Sequence, residues 1–313
     1  MVVKKKVILD CDPGHDDALA IVLACAAEEL DLLGITTVAG NQTVDKTTRN
    51  ALRVLALIGE EVPVACGAER PLICELVTAP EVHGETGLDG AELPEPAFGP
   101  REKHAVEFLI CTIRSSPEPV TLIPTGPLTN VALALRLAPD IAERIERIVL
   151  MGGAAREANA TPAAEFNIYV DPEAARIVFT SGIPITMVGL DVTNRALLTP
   201  EEIEGLARGG PVRRTFARLL RFYATANERL LGIGGAPLHD PLAVAAVIDP
   251  AVLVTEPLYV EVELCGEHTR GATVVDLYRV SGRSPNVDVA LDLDLRRFKE
   301  LVFWALERVD RRG

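Results

Sequence analysis

The chain has 313 residues, 48% hydrophobic and 24% charged, enough to bury one large core. Its formal net charge of -14 excludes the clustered Lys and Arg that nucleic acid or an anionic membrane needs, and favours a small neutral substrate or a bound cation. No stretch approaches the roughly 18 apolar residues of a membrane span. Met1-Val-Val-Lys-Lys-Lys runs into Val7-Ile8-Leu9 without the apolar region of a signal peptide, so a cytoplasmic location is expected. The six cysteines (Cys11, Cys25, Cys66, Cys74, Cys111 and Cys265) show no CxxC spacing, which predicts reduced thiols, mostly in the core.

In chain order, short β-rich apolar runs are expected as strands at Val7 to Leu9, Leu32 to Ala39, Val62 to Ala65, Val120 to Ile123, Ile145 to Met151 and Ile185 to Leu190. Helices are expected at Asp16 to Glu29, Val44 to Ile58, Pro127 to Leu137, Asp171 to Thr180 and Pro211 to Leu231. Gly59 and Pro172 punctuate two of their ends. Paired strands follow at Leu258 to Leu264 and Gly271 to Asp276, then a closing helix from Leu295 to Arg308. This alternation predicts an α/β fold: a single domain over 1–313 with an open, mostly parallel sheet and helices on both faces. The Pro-, Gly- and Glu-rich segment 69–101 lacks periodicity and reads as a long loop, of the kind that is functional or disordered.

Polar residues gather where the strands end: Asp10 and Asp12, Asn41, Thr125, Gly152-Gly153 and Asp191. Open parallel sheets bind ligands outside those carboxyl ends, which gives the site an address. Asp10, Asp12, Asp16 and Asp17 crowd a strand end, a Pro13-Gly14 turn and a helix start. Two unit charges about 4 Å apart at a dielectric of about 20 repel by roughly 4 kcal/mol, so the group must protonate, spread out or bind a hard cation such as Ca²⁺ or Mg²⁺. Alternatively, Asp16 and Asp17 favour a helix N-terminus and Asp10 bonds to nearby loops. Far along the chain, Leu238-His239-Asp240-Pro241 opens an apolar helix, with Asp240 placed as an N-cap or a ligand and His239 as a partly buried histidine bonded to backbone.

The stretch Asp10-Cys-Asp-Pro-Gly-His-Asp-Asp17 resembles the N-terminal signature of the inosine-uridine preferring nucleoside hydrolases. The likeness continues in Val38-Ala-Gly-Asn41, His83-Gly-Glu-Thr-Gly-Leu88, Pro124-Thr-Gly-Pro-Leu-Thr-Asn130, Met151-Gly-Gly, Ala164-Glu-Phe-Asn-Ile-Tyr-Val-Asp-Pro-Glu173, Leu238-His-Asp-Pro241 and Thr269-Arg-Gly-Ala-Thr-Val-Val-Asp276, in family order over nearly the whole chain. The resemblance implies a Rossmann-like nucleoside hydrolase fold and a Ca²⁺ held by Asp12, Asp17, Asp240 and the Thr125 carbonyl, together with water and the ribose hydroxyls. It implies Asp12 as general base for the attacking water. Asp16, Asn41, Asn159, Glu165 and Asn167 would hold the ribose over Met151. His239 would protonate the leaving base, and His83 would sit on the loop closing over it. It also implies a homotetramer or homodimer.

Without the resemblance, Asn41 reads as a turn residue, Met151 as core and Thr125 as a helix entry. Glu165 and Asn167, two apart, share a face only if their segment is extended. The chain departs from the family in the helix before Leu238, where an aromatic commonly lies near the base. Here Asn227 and Leu231 fill that stretch, with Tyr223 a turn earlier, while His15 carries no assigned role. The competing readings are a phosphohydrolase built on the bare DxD of Asp10 and Asp12, and a nucleoside-binding protein without turnover. A phosphorylase would need a basic anion site, and no Lys or Arg cluster adjoins these motifs.

Overall fold

The computed structural model describes residues 4–311, so Met1 to Val3 of the N-terminal stretch lie outside the described residues. The elements are β1 (Lys5–Cys11), α1 (His15–Ala26), β2 (Leu30–Thr37), α2 (Val44–Ile58), β3 (Val64–Cys66), α3 (Pro80–His83), α4 (Ala105–Ser115), β4 (Val120–Pro124), α5 (Thr129–Leu137), β5 (Ile145–Met151), α6 (Phe166–Val170) and α7 (Pro172–Phe179). The second half adds β6 (Ile185–Val188), α8 (Leu190–Thr193), β7 (Leu197–Leu198), α9 (Pro200–Leu206), α10 (Pro211–Leu231), β8 (Ala236–Pro237), α11 (His239–Ile248), β9 (Leu253–Leu258), β10 (Val260–Val262), β11 (Thr273–Val275), β12 (Val287–Leu293) and α12 (Leu295–Asp310).

Eight strands form one sheet in the order β3-β2-β1-β4-β5-β6-β12-β9, parallel throughout except for the antiparallel edge strand β9. Side chains alternate between two cores, as the period of two requires. Val7, Leu9 and Cys11 of β1 join the core under α1, α10, α11 and α12, whereas Ile8 joins the one under α4, α5 and α7. Val149 and Met151 of β5 divide from Ile148 and Leu150 in the same way. The single-domain, mostly parallel α/β expectation holds.

Its details need correction. β2 starts at Leu30 and ends at Thr37, and β6 stops at Val188 because Leu190 opens α8. The paired strands of the C-terminal part appear as β10 and β11, but β9 and β12, which extend the main sheet, were not expected from the sequence. The cysteines form no disulfide among the described residues, yet only Cys11 is buried; Cys25, Cys66 and Cys74 are half-buried and Cys111 and Cys265 exposed. Proximity to apolar runs does not decide which face a short side chain takes.

Two features place the site. The strand order reverses between β1 and β4, and Thr125 N–H donates to the Asp10 carbonyl at 2.7 Å just past their last pair, so both strands open their carboxyl ends into one crevice. Beside it, α11 is buried from Asp240 to Ile248 and packs on α1 and β5. Apolar on all sides, it must be enclosed, and enclosing it brings Asp240 to the start of α1.

Candidate active site

Asp12, just past β1, is fully buried. Its Oδ2 accepts the Asn41 backbone N–H at 2.6 Å, and its Oδ1 has no hydrogen-bond partner among the described residues. The carboxylate is wedged between Gly40 and Gly126, where any Cβ would strike it. Asp17 is tied on both oxygens: Oδ2 accepts from Gly14 N–H at 3.0 Å and from Asn41 Nδ2 at 3.2 Å, and Oδ1 accepts from the Thr125 hydroxyl at 3.1 Å. One oxygen from each of Asp16, Asp17 and Asp240 fits within 4.8 Å of the others. Asp10 and Asp12 stand outside that trio, and Asp10 is held apart as a strand-end brace, its Oδ1 accepting from Thr36 Oγ1 at 2.5 Å and Asn130 Nδ2 at 2.8 Å.

The electrostatics follow from crowding without cations. Burial, then the charge of Asp17, pushes Asp16 up to about 7. Burial raises Asp12 and Asp240 well above the usual carboxylate range, with the neighbouring aspartates adding to the shift. No Lys or Arg lines the pocket above them. Buried carboxylates with no protein cation must take up protons or share a metal. The donors are hard oxygens and one, Asp12 Oδ1, is orphaned among the described residues, which fits a hard divalent cation.

Above this floor lies a pocket of about 350 Å³, lined by Asp16, Asn41, His83, Thr125, Met151, Asn159, Glu165, Asn167, His239 and Asp240 among others. Apart from Asp12 and Asp17, which lie beneath it, every site residue named from the sequence is in this lining. A nucleoside-sized ligand suits such a volume.

Several local expectations change. Glu165 and Asn167 do not sit on an extended segment. Glu165 is the N-cap of α6, accepting from Asn167 N–H at 2.9 Å, Ile168 N–H at 3.1 Å and Gly153 N–H at 2.8 Å. They share the pocket because a cap folds back over the first turn it satisfies. Asn167 Nδ2 donates to the Thr125 carbonyl at 2.9 Å and the Met151 carbonyl at 3.2 Å, so Thr125 is locked into the site rather than capping a helix; α5 begins only at Thr129. Asp240 lies inside the first turn of α11, and the N-cap is Leu238. Asn159 is exposed, its Oδ1 accepting from Phe166 N–H at 2.9 Å. His239 is half-buried, its Nδ1 2.7 Å from the Thr193 hydroxyl, and burial lowers it to about 4. The ring is neutral at pH 7.

The sequence reading missed His15, which is fully buried. It stacks on His83, Phe222 and Tyr223 with ring centroids 5.4 Å away in each case. Nothing local signals this, because three of the four rings come from other segments. Asn227 and Leu231 do line the pocket, and Tyr223, buried, supplies the only aromatic ring on that side of α10 that reaches it.

Fold and crevice together define a nucleoside hydrolase architecture. The structure superposes on a purine-preferring ribonucleoside hydrolase from Gardnerella vaginalis with a TM-score of 0.92 at 36% identity, covering 99% of this chain and 100% of that one. It also superposes on an inosine-guanosine nucleoside hydrolase with a TM-score of 0.88 at 31% identity, covering 97% and 99%. In sequence, the chain is 53% identical over 299 residues to the pyrimidine-specific ribonucleoside hydrolase RihA of Citrobacter koseri, covering 95% of this chain and 96% of the relative. It is 52% identical over 301 residues to the RihA of Photobacterium profundum, covering 95% and 97%. The family model for inosine-uridine preferring nucleoside hydrolase matches residues 7–300. The chain belongs to this family and is a ribonucleoside hydrolase.

Proposed function

We propose that the chain hydrolyses the N-glycosidic bond of pyrimidine ribonucleosides, releasing ribose and the free base, with Ca²⁺ as cofactor. The observation that carries the reading is the orphaned Asp12 Oδ1 beside the buried Asp16, Asp17 and Asp240 carboxylates at the foot of a pocket whose described lining holds acidic side chains and no Lys or Arg. Pyrimidine is preferred over purine because relatives above 50% identity carry that name, whereas the purine-preferring neighbour is 36% identical.

Asp12, Asp17, Asp240 and the Thr125 carbonyl would hold the ion, with Asp16 close enough to share in it. Bound there, Ca²⁺ supplies the positive charge that makes water easier to deprotonate and orders a vicinal diol. The protein groups do the rest. Asp12 Oδ1, having no protein donor, is free to take the proton of the attacking water. Asn167 commits both Nδ2 hydrogens to carbonyls, which leaves its Oδ1 to accept from a ribose hydroxyl. Asn159 has its Oδ1 occupied, which leaves its amide to donate. Asp16 and Glu165 present acceptors, Asn41 braces the carboxylates of Asp12 and Asp17, and Met151 floors the pocket. As the C–N bond breaks, an oxocarbenium-like sugar forms and negative charge grows on the base. His239 and His83 are the imidazoles at that end. His239 Nδ1 lies 2.7 Å from the Thr193 hydroxyl, and a hydroxyl that donates there would leave the hydrogen of neutral His239 on Nε2, facing the base. Segment 69–101 serves as the active-site loop, through Val77 to Ala79 and Glu81 to His83 in the pocket lining. We further propose a cytoplasmic location, and the family resemblance extends the reading to a homotetramer or homodimer, checked by size-exclusion chromatography with light scattering.

Release of reducing sugar from uridine, cytidine, inosine, adenosine and guanosine, with and without chelator, tests the proposal. Uridine or cytidine turnover that chelator abolishes and Ca²⁺ restores is expected. Phosphate release from a phosphoester with no sugar released would favour the DxD phosphohydrolase, and ligand binding without turnover would favour a binding protein.

A further inference from the structure

His15 opens α1 between Gly14 and Asp16 and is wholly inside the protein. Its contacts lie at both ends of one loop. Its backbone N–H donates to His83 Nδ1 at 3.2 Å, its ring Nδ1 is 3.2 Å from the same atom, and its ring Nε2 is 2.8 Å from the Asp89 carbonyl. The loop between is wound on itself, with Asp89 N–H reaching the His83 carbonyl at 3.4 Å and the Asp89 carboxylate accepting from Glu85 and Thr86 N–H. From α2, Asn50 Nδ2 holds the Thr86 carbonyl at 2.9 Å, and from the turn before it Gln42 Nε2 holds the Gly84 carbonyl at 2.9 Å.

A carbonyl only accepts, so the His15 ring carries a hydrogen on Nε2. The His15 amide is one of the first-turn donors that a helix leaves unpaired, and His83 Nδ1 satisfies it. An Nδ1 that accepts puts the hydrogen of a neutral imidazole on Nε2. That nitrogen has no hydrogen bond among the described residues, while the Nδ1–Cε1 edge packs against Gly14 and the ring lines the pocket.

We propose that His15 is a positioning residue for the leaving base: its backbone N–H holds His83 Nδ1 and its ring Nε2–H holds the Asp89 carbonyl, which together fix the 83–89 loop and set His83 as an Nε2–H donor toward the pocket. A preorganised donor stabilises charge growing on a departing base without reorganising at that moment. The inference rests on the reading that His83 lies at the base end.

The test is a double-mutant cycle read with uridine and with nitrophenyl riboside, whose leaving group needs no donor. His15→Phe keeps a stacked ring and the backbone N–H to His83 Nδ1, and removes the Nε2–H bond to the Asp89 carbonyl. His15→Gln keeps a side-chain amide that can donate to Asp89 and is expected to hold uridine kcat within about threefold of the parent; a loss equal to that of His15→Phe overturns the Asp89 clasp. In otherwise intact enzyme, His15→Phe is expected to lower uridine kcat by about 10- to 100-fold, with KM within about threefold and nitrophenyl riboside turnover within about threefold. In a His83→Ala background the same substitution should change uridine kcat by less than about twofold, because there is nothing left to position. A purely structural histidine predicts losses that multiply and that fall equally on both substrates; either result overturns the proposal. If His83→Ala leaves uridine kcat intact, the reading of His83 falls and this one with it. If His83→Ala is slow but His15→Phe runs at the parent rate, only the role of His15 falls. Should His15→Phe not fold, the cycle is run with His15→Leu, which also removes the bond to the Asp89 carbonyl, and for which the same non-additivity is expected and multiplying losses again overturn it.

Discussion

The floor of the pocket and its base-side rim are built by different means. The floor is made of strand ends and helix starts: Asp12 after β1, Thr125 after β4, Asp17 in α1 and Asp240 in α11, each buried and most tied by backbone or amide donors. The rim is made of a loop and a helix surface: His83 on 69–101, His239 half-buried, and Leu230 and Leu231 of α10 largely exposed. Charge must be placed to a fraction of an ångström on rigid elements, whereas discrimination between bases tolerates, and evolves through, movable ones.

The contrast is broken most directly at Asp12. Asp12→Asn should lower kcat by at least about 10³-fold on uridine and nitrophenyl riboside alike, since a proton acceptor in the floor serves every leaving group. Calcium titration by calorimetry should show weaker binding by the same variant; activity retained on either substrate would contradict the assignment. Of comparable size, 2′-deoxyuridine should react about 10³-fold more slowly than uridine, because polar groups arranged for the missing hydroxyl stay unpaired. Equal rates for the two would move the ribose away from this floor.

At the rim, His239→Ala should slow uridine by about 10²-fold or more and leave nitrophenyl riboside within about threefold. Equal losses on both substrates, accompanied by a lower melting temperature, would make His239 structural. The smallest expected effect concerns stability of the floor. Asp16 is raised from 3.8 to about 7 by burial and by Asp17, so the protonated form is favoured by folding. Its stabilisation is complete below about pH 4 and is lost as pH rises through about 7. The chelated protein should therefore melt lower at pH 8 than at pH 5, and Ca²⁺ should raise the melting temperature at pH 8 by about 5 °C more than at pH 5. A calcium effect that does not grow with pH would show that the carboxylates are not competing for protons.

Sequence alone settled the alternation of strands and helices, since the periods of 2 and 3.6 are written in the order of apolar residues, and β5, α2 and α10 match their expected bounds residue for residue. It also pointed to the carboxyl ends of the strands and, through the resemblance, named side chains most of which line one pocket there, because the motifs sit at strand ends that any parallel sheet gathers at one edge. What it could not settle depends on contacts between segments distant in the chain. Asp10 and Asp12 are indistinguishable as a DxD, and only Thr36 and Asn130 on neighbouring elements turn the first into a brace. Glu165 became an N-cap through the α6 turn, which five residues of sequence do not announce. His15 acquired partners 68 and 74 residues away, at His83 and Asp89, and its ring stack with Tyr223 forms only when α10 packs over α1. Local periodicity fixes which residues become elements, but the partner of a buried polar side chain is chosen by whichever element the fold delivers within about 3 Å of it, and that is decided by tertiary packing.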